Sequence, residues 1–351
     1  MKVALSTLLL LFSFYSHTVP LKVAFVYVSP PGDAGWSYSH ELARQYLENT
    51  FGDSIQTKVI DSVPEGRKAR EVIEDLAKDS DIVFTTSWGY MIPTQRIAEQ
   101  YPNVKFEHAT GLRRGDNLST YATRAYEARY LSGMVAAAMS KSKRLGYVAA
   151  HPIAEVIRGL NAFTLGAQSI DPSIKVEVQW TNAWYAPDKS KKLTHALIDN
   201  GADVIAHHVD TPTPLQVAEA RGVYAIGYHT DMSVFAPNSH LVSVVHDWGK
   251  IYASRIQSVM DNTWSSTDLW PGLKQNSSHL TSLSPKLPAE IVDKVTAATA
   301  AIQSGALTIF SGPINNHRSR QIIREGETLS DSDILRMDWY AQGIEGDLRF
   351  F

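Results

Sequence analysis

The stretch L21-K-V-A-F-V-Y-V28, followed by S29-P-P-G-D-A-G35 and then W36-S-Y-S-H40, decides how this chain folds. A nearly continuous run of β-branched and aromatic residues reads as a strand buried on both faces, and the prolines and glycines after it end that strand. A helical period then begins at Trp36. In an open α/β sheet ligands sit outside the carboxyl ends of strands, so an indole at this loop offers a flat face to something flat. The plainer reading of Trp36 is packing.

The same alternation runs outward along the chain. T57-K-V-I60, D81-I-V-F-T-T86 and K105-F-E-H-A-T110 are strand-like, separated by helical periods at residues 65–78 and 90–101. Apolar strands alternating with helices argue for a parallel sheet covered on both faces. The pattern starts again with a helix over 126–140, strands at 144–150, 174–180, 202–209, 223–228 and 241–245, and helices between them. Two such series predict two doubly wound lobes with a cleft between them. A further helix over 248–261, a loop-rich stretch and a polar helix over 288–304 imply that the chain crosses between lobes more than once, which makes a hinge. The expected division is residues 21–124 with about 246–275 in one lobe and 125–245 with about 276–316 in the other. The tail, 317–351, carries D338-W-Y-A-Q-G-I344, too aromatic to hang free, and is expected to pack on the body.

Composition narrows the function. Of 351 residues 44% are hydrophobic and 20% charged, and the formal charge of −3 gives no basic footprint for nucleic acid. Residues 1–20 begin with Met1-Lys2 and continue as an apolar run too short for the roughly 20 residues of a membrane span, which reads as a cleaved export signal. Cysteine is absent, which excludes disulfides, thiolate metal sites and a cysteine-linked lipid. An exported chain without an anchor points to a periplasmic protein.

The strand-end loops hold Trp36, Trp88, Trp184 and Trp248, half of the eight tryptophans. Beside them stand polar groups suited to the edge of a planar heterocycle: Ser87, Asp210, His229 and Asp231. The alternative for Asp210 is a cap on the helix that begins near Pro212, and for Asp231 a turn cap. His207 and His208 are neighbours on a strand, point to opposite faces and cannot grip one metal ion together. No phosphate-binding glycine loop, nucleophile elbow or metal cluster stands out, so neither cofactor nor enzymatic activity is expected.

Several blocks together resemble the BMP (basic membrane protein) family: V23-A-F-V-Y-V28 with G35-W-S-Y-S39, F84-T-T-S-W-G-Y90, N103-V-K-F-E-H-A-T-G111, Y126-E-A-R-Y-L-S-G-M-V-A-A-A138 and G166-A-Q-S169. W339-Y-A-Q-G-I-E-G-D347 resembles the tail of a proteobacterial branch. The resemblance implies an α/β chain of the periplasmic-binding-protein type I fold, two doubly wound lobes joined by a multi-crossing hinge. It also implies a substrate-binding protein working with an ABC permease and ATPase; a monomer is expected, without a direct membrane anchor because the chain has no cysteine for a lipid and no second apolar segment. Members bind purine nucleosides between two aromatic rings, at positions matching Trp36 and Trp184. Where nucleoside binders carry an Asp, an Asn and a ribose-binding Asp, this chain has Tyr27, Ser37 and His229; their ribose-binding Lys falls near His246 or Asp247. The T86-S-W-G-Y-M91 and G227-Y-H-T-D-M232 motifs are similar to a branch binding free bases. The expected ligand is therefore a purine base such as adenine, held by Trp36, Trp88, Trp184, Asp210, Asp231, Ser87 and His229 with Tyr27 nearby. A nucleoside, a sugar-type solute, a signalling role and a nucleoside hydrolase are the alternatives.

Overall fold

A computed structural model of the chain describes residues 19–281 and 283–347; the expected export signal falls almost wholly outside them. The first sheet is built on β1 (Leu21–Val26), β2 (Ile55–Ile60), β3 (Ile82–Thr85), β4 (Lys105–Ala109) and β5 (Leu118–Tyr121). The second uses β6 (Arg144–Ala149), β7 (Lys175–Trp180), β8 (Val204–His208), β9 (Tyr224–His229) and β10 (His240–His246). Later in the chain come β11 (Asp268–Leu269), β12 (Ser278–Leu280), the pair β13 (Ile314–Asn315) and β14 (Gln321–Ile323), and β15 (Ile344–Glu345).

Strand order is β11-β5-β4-β3-β1-β2 in one sheet and β12-β10-β9-β8-β6-β7-β15 in the other. All pairings within these sheets are parallel except β10 with β12. The core of each order is the same: the first strand is flanked by its second on one side and its third on the other, which puts a topological switch point beside β1 and beside β6. In such sheets the crevice at the switch point is where ligands bind. The helices α1 (Trp36–Phe51), α2 (Arg67–Ala77), α3 (Met91–Ala98), α4 (Ala125–Met139), α5 (Ala154–Ile170), α6 (Pro187–Asp199), α7 (Thr213–Arg221), α8 (Trp248–Met260), α9 (Ala289–Ser304) and α10 (Asp331–Leu335) cover the faces.

The chain passes between lobes three times. It leaves β5 for α4, returns from β10 to α8, and crosses again between β11 and β12. Helix α8 belongs to the first lobe because Trp248, Ile251, Tyr252 and Ile256 bury against Phe25, Leu47 and Phe84. The aromatic tail lies on the second lobe: Met337, Tyr340 and Ala341 are buried, and β15 pairs with β7.

One strand is not visible as an apolar run. L118-S-T-Y121 carries two aliphatic hydroxyls, on Ser119 and Thr120, yet all four residues are buried. The hydroxyls are satisfied by the returning chain, Ser119 Oγ donating to Thr267 O at 2.8 Å and Thr120 Oγ1 to Asp268 Oδ1 at 3.0 Å.

Nearby, α8 is fastened to β4 by a buried ion pair. Arg255 Nε meets Glu107 Oε1 at 2.5 Å, and Trp264 Nε1 donates to the same oxygen at 2.8 Å. Burial pushes the Glu107 carboxyl up to about 7, against the pull of Arg255 and Trp264. Removing one partner leaves the other charge buried and alone, which costs about 3–5 kcal/mol. Arg255→Met should therefore lower unfolding free energy by roughly that amount in urea titration; a loss under about 1 kcal/mol would mean that the pair does not hold α8 in place.

Candidate functional site

The loops after the carboxyl ends of both sheets meet around one cavity with about 380 Å³ of empty space, its mouth included. The first lobe contributes Val28, Trp36, Thr86, Ser87, Trp88 and Thr110; the second contributes Glu155, Trp184, His208, Val209, Asp210 and His229. The walls are mostly apolar or aromatic and the polar groups few, the composition of a small-molecule site.

Trp36 opens helix α1 and is held by its surroundings. Its Nε1 donates to Thr86 O at 2.5 Å, and its ring meets His40, Trp248, His229 and His246 edge-on, with centroids 4.5 to 5.8 Å away. Trp248 itself is buried to 1% exposure beneath it, a core residue stacked on His40 and His246. Trp184 comes from the opposite lobe, with its ring edge-on to His151 at 4.8 Å. Trp88 is 42% exposed and lines both the cavity and a wider vestibule formed with Leu112, His151 and the tail residues Leu335–Asp338.

Hydrogen bonds cross between the lobes in this structure. Glu65 Oε1 accepts from Ser87 Oγ at 2.6 Å and Gly89 N at 3.1 Å in its own lobe, and from Trp184 Nε1 at 3.1 Å across the cleft. Asp210, from the second lobe, accepts through Oδ2 from Ser29 Oγ and from Ser37 N at 3.4 Å. Helix α1 has no side-chain cap of its own, so a carboxylate from the other lobe stands at its N-terminus, where backbone N–H groups favour an anion. Gly35, at φ +101°, admits this approach: a β-carbon there would overlap Asp210 Oδ1. Burial raises the Asp210 carboxyl to about 6, opposed by Ser29, Ser37 and the backbone N–H of Trp36. Its other oxygen, Oδ1, is buried beside Gly35 with no hydrogen bond among the described residues, and Asp210 lines the cavity.

Glu65→Ala removes the bridge to Trp184 and should open the unliganded protein. X-ray scattering should then give a larger radius of gyration, with ligand affinity down by about threefold to tenfold as the closed population falls. Identical scattering from both proteins would mean that Glu65 does not hold the lobes together.

The histidines behind the cavity are uncharged near neutral pH. His229 Nδ1 lies 3.3 Å from His246 Nε2, and His246 Nδ1 lies 2.7 Å from Thr123 Oγ1. Burial, helped by neighbouring histidines and Arg129, takes His208 and His229 well below their ordinary value; burial with Arg129 and His279 takes His246 down to about 3. His229 sits at φ +74°, a strained conformation for a non-glycine residue.

Six of the eight predicted site residues, Trp36, Ser87, Trp88, Trp184, Asp210 and His229, line the cavity. Two do not. The left-handed turn at His229 carries the chain away, so Asp231 is exposed, and its Oδ1 accepts from Ser233 N at 2.9 Å as a turn cap. Tyr27 is fully buried in the first lobe's core, and its hydroxyl donates to Glu41 Oε2 at 3.3 Å. The helix-cap alternative for Asp210 also fails on its own lobe: α7 is preceded by Pro212 and has no side-chain cap. Thr86, Thr110, Glu155 and His208 are additions. Glu155 follows β6, whose loop carries no tryptophan to draw attention to it.

The comparisons agree with this architecture. A family model described as Bmp, ABC transporter substrate-binding protein PnrA-like, matches residues 21–309. The chain belongs to the Bmp family. Among the relatives of this Bmp protein, a purine-binding protein of Brucella abortus is 41% identical over 93% of this chain and 94% of its own length. A Haloferax volcanii protein provisionally named as an ABC transporter glucose-binding protein is 35% identical over 93% of this chain and 81% of its own. The solved structure of an ABC transporter solute-binding protein from Aeropyrum pernix superposes with a TM-score of 0.73 at 18% identity, covering 82% and 93% of the two chains. This Bmp chain is thus an ABC transporter substrate-binding protein of the type I periplasmic-binding-protein fold.

Proposed function

We propose that the protein captures a purine base, adenine or a close analogue, in the interlobe cleft and delivers it in the periplasm to an ABC permease and its ATPase. One observation carries the reading: Trp36 and Trp184 line a single cavity from opposite lobes together with Asp210, whose Oδ1 is buried with no hydrogen bond among the described residues. Two indoles supply faces for a flat ring, and a carboxylate supplies an acceptor for a ring N–H or exocyclic amine. The purine-binding Brucella relative supports the ligand class. Free base is favoured over nucleoside because the position of the nucleoside binders' ribose carboxylate carries His229, which is neutral and engaged with His246.

The Haloferax relative keeps a sugar as the second reading. Native mass spectrometry of the purified protein, then thermal shift with purine bases, their nucleosides and glucose, separates the two. Stabilisation by bases alone fits the proposal. Stabilisation by glucose alone would replace it, and a preference for nucleosides would mean that His229 serves ribose after all.

A further inference from the structure

We infer that Glu155 is a specificity-determining residue of this cleft, accepting a hydrogen bond from the imidazole-ring N–H that a free purine base has and a nucleoside lacks. The inference rests on the purine reading above and adds a residue and an edge to it.

Glu155 stands in the first turn of α5, where an acidic residue ordinarily serves the helix terminus or an arginine one turn on. Neither role accounts for it. Arg158 turns its guanidinium over the Trp270 ring, 5.3 Å from the centroid, and its charge acts on Glu155 without a salt bridge to it among the described residues. The Thr110 hydroxyl, on the first lobe, lines the same cavity and favours the ionised carboxylate. Burial lifts the carboxyl above its ordinary range, with Arg158 and Thr110 opposing. A carboxylate placed at an aromatic-walled cavity beside one hydroxyl retains acceptor capacity, and leaving that capacity unmet is costly.

Position identifies the edge it reads. Asp210 faces the inner cavity only, whereas Glu155 lines both that cavity and the vestibule outside it, beside Trp88, Thr110 and Trp184. A base entering with its six-membered ring first leaves its five-membered ring toward the vestibule. The N–H of that ring then meets Glu155, and a sugar attached there would take the N–H away and fill the same space.

Calorimetric titration of the full protein with adenine, 9-methyladenine and adenosine tests this. In the wild type, adenine should bind at least about tenfold tighter than 9-methyladenine, since the methyl group leaves the carboxylate unpaired. In Glu155→Gln, adenine should weaken by about tenfold or more while 9-methyladenine changes little. Equal affinities for adenine and 9-methyladenine in the wild type, a comparison that needs no variant, would overturn the inference. So would adenosine binding tighter than adenine with its advantage lost in Glu155→Gln, which would make Glu155 a ribose partner. Binding of none of the three to the wild type would instead sink the purine reading itself.

Discussion

Replacing Trp184 by alanine should weaken base binding by about tenfold to a hundredfold, since loss of one stacking ring removes about 1–3 kcal/mol. The fold should survive, because Trp184 is half-buried at the cleft and lies on a loop. Trp184→Phe separates its two roles: the phenyl ring keeps a face for the ligand but loses the N–H given to Glu65. Its affinity should therefore fall no further than that of Glu65→Ala. Trp36→Ala should lose affinity to a similar extent, and also some stability, because its ring packs on His40 and Trp248. Calorimetric titration beside thermal denaturation reads both quantities. Unchanged affinity in both alanine variants would remove the clamp.

Asp210→Asn should cost a further tenfold to hundredfold, the range for a hydrogen bond to a charged group, and change how binding depends on pH. The folded-state value near 6 lies above the ordinary carboxyl value of 3.8. This group therefore contributes stability to the unliganded protein at low pH and withdraws it as pH rises from about 4 through 6. A ligand donating an N–H to Asp210 selects the ionised form, so affinity should rise with pH up to about 6 and level off above it. The neighbouring His208, His229 and His246 stay neutral through this window because burial lowers all three. Glu155, the other carboxyl on the cavity, is raised as well and titrates in the same sense. In Asp210→Asn the rise should shrink to what Glu155 supplies. A profile between pH 5 and 7 identical in the two proteins would mean that the ligand does not meet Asp210.

How much of this was readable in advance follows from what each residue answers to. Strands such as V23-A-F-V26 and I82-V-F84 are buried on both faces and say so in their composition. Leu118–Tyr121 does not, because its burial depends on hydroxyls satisfied by residues 267–268, about 150 positions away. The site divides in the same way. Trp36, Trp88 and Trp184 are conspicuous at strand ends, so their shared cavity could be expected from order along the chain. Asp210 lies at the end of a strand and lines the cavity, but its partners Ser29 and Ser37 belong to the other lobe, and no local pattern announces a helix capped from across a cleft. Asp231 misled because an aspartate after a strand serves a turn as readily as a ligand, and the left-handed residue before it decides which. Tyr27 misled because a position matched along the chain carries no information on which way its side chain points.

The most direct test is the crystal structure of the protein grown with adenine. The account predicts the base plane between the indoles of Trp36 and Trp184, with a base N–H on Asp210 Oδ1 and the five-membered ring toward Glu155. A base bound outside the two indoles, or a cleft that takes up a sugar and leaves adenine in solution, would contradict it.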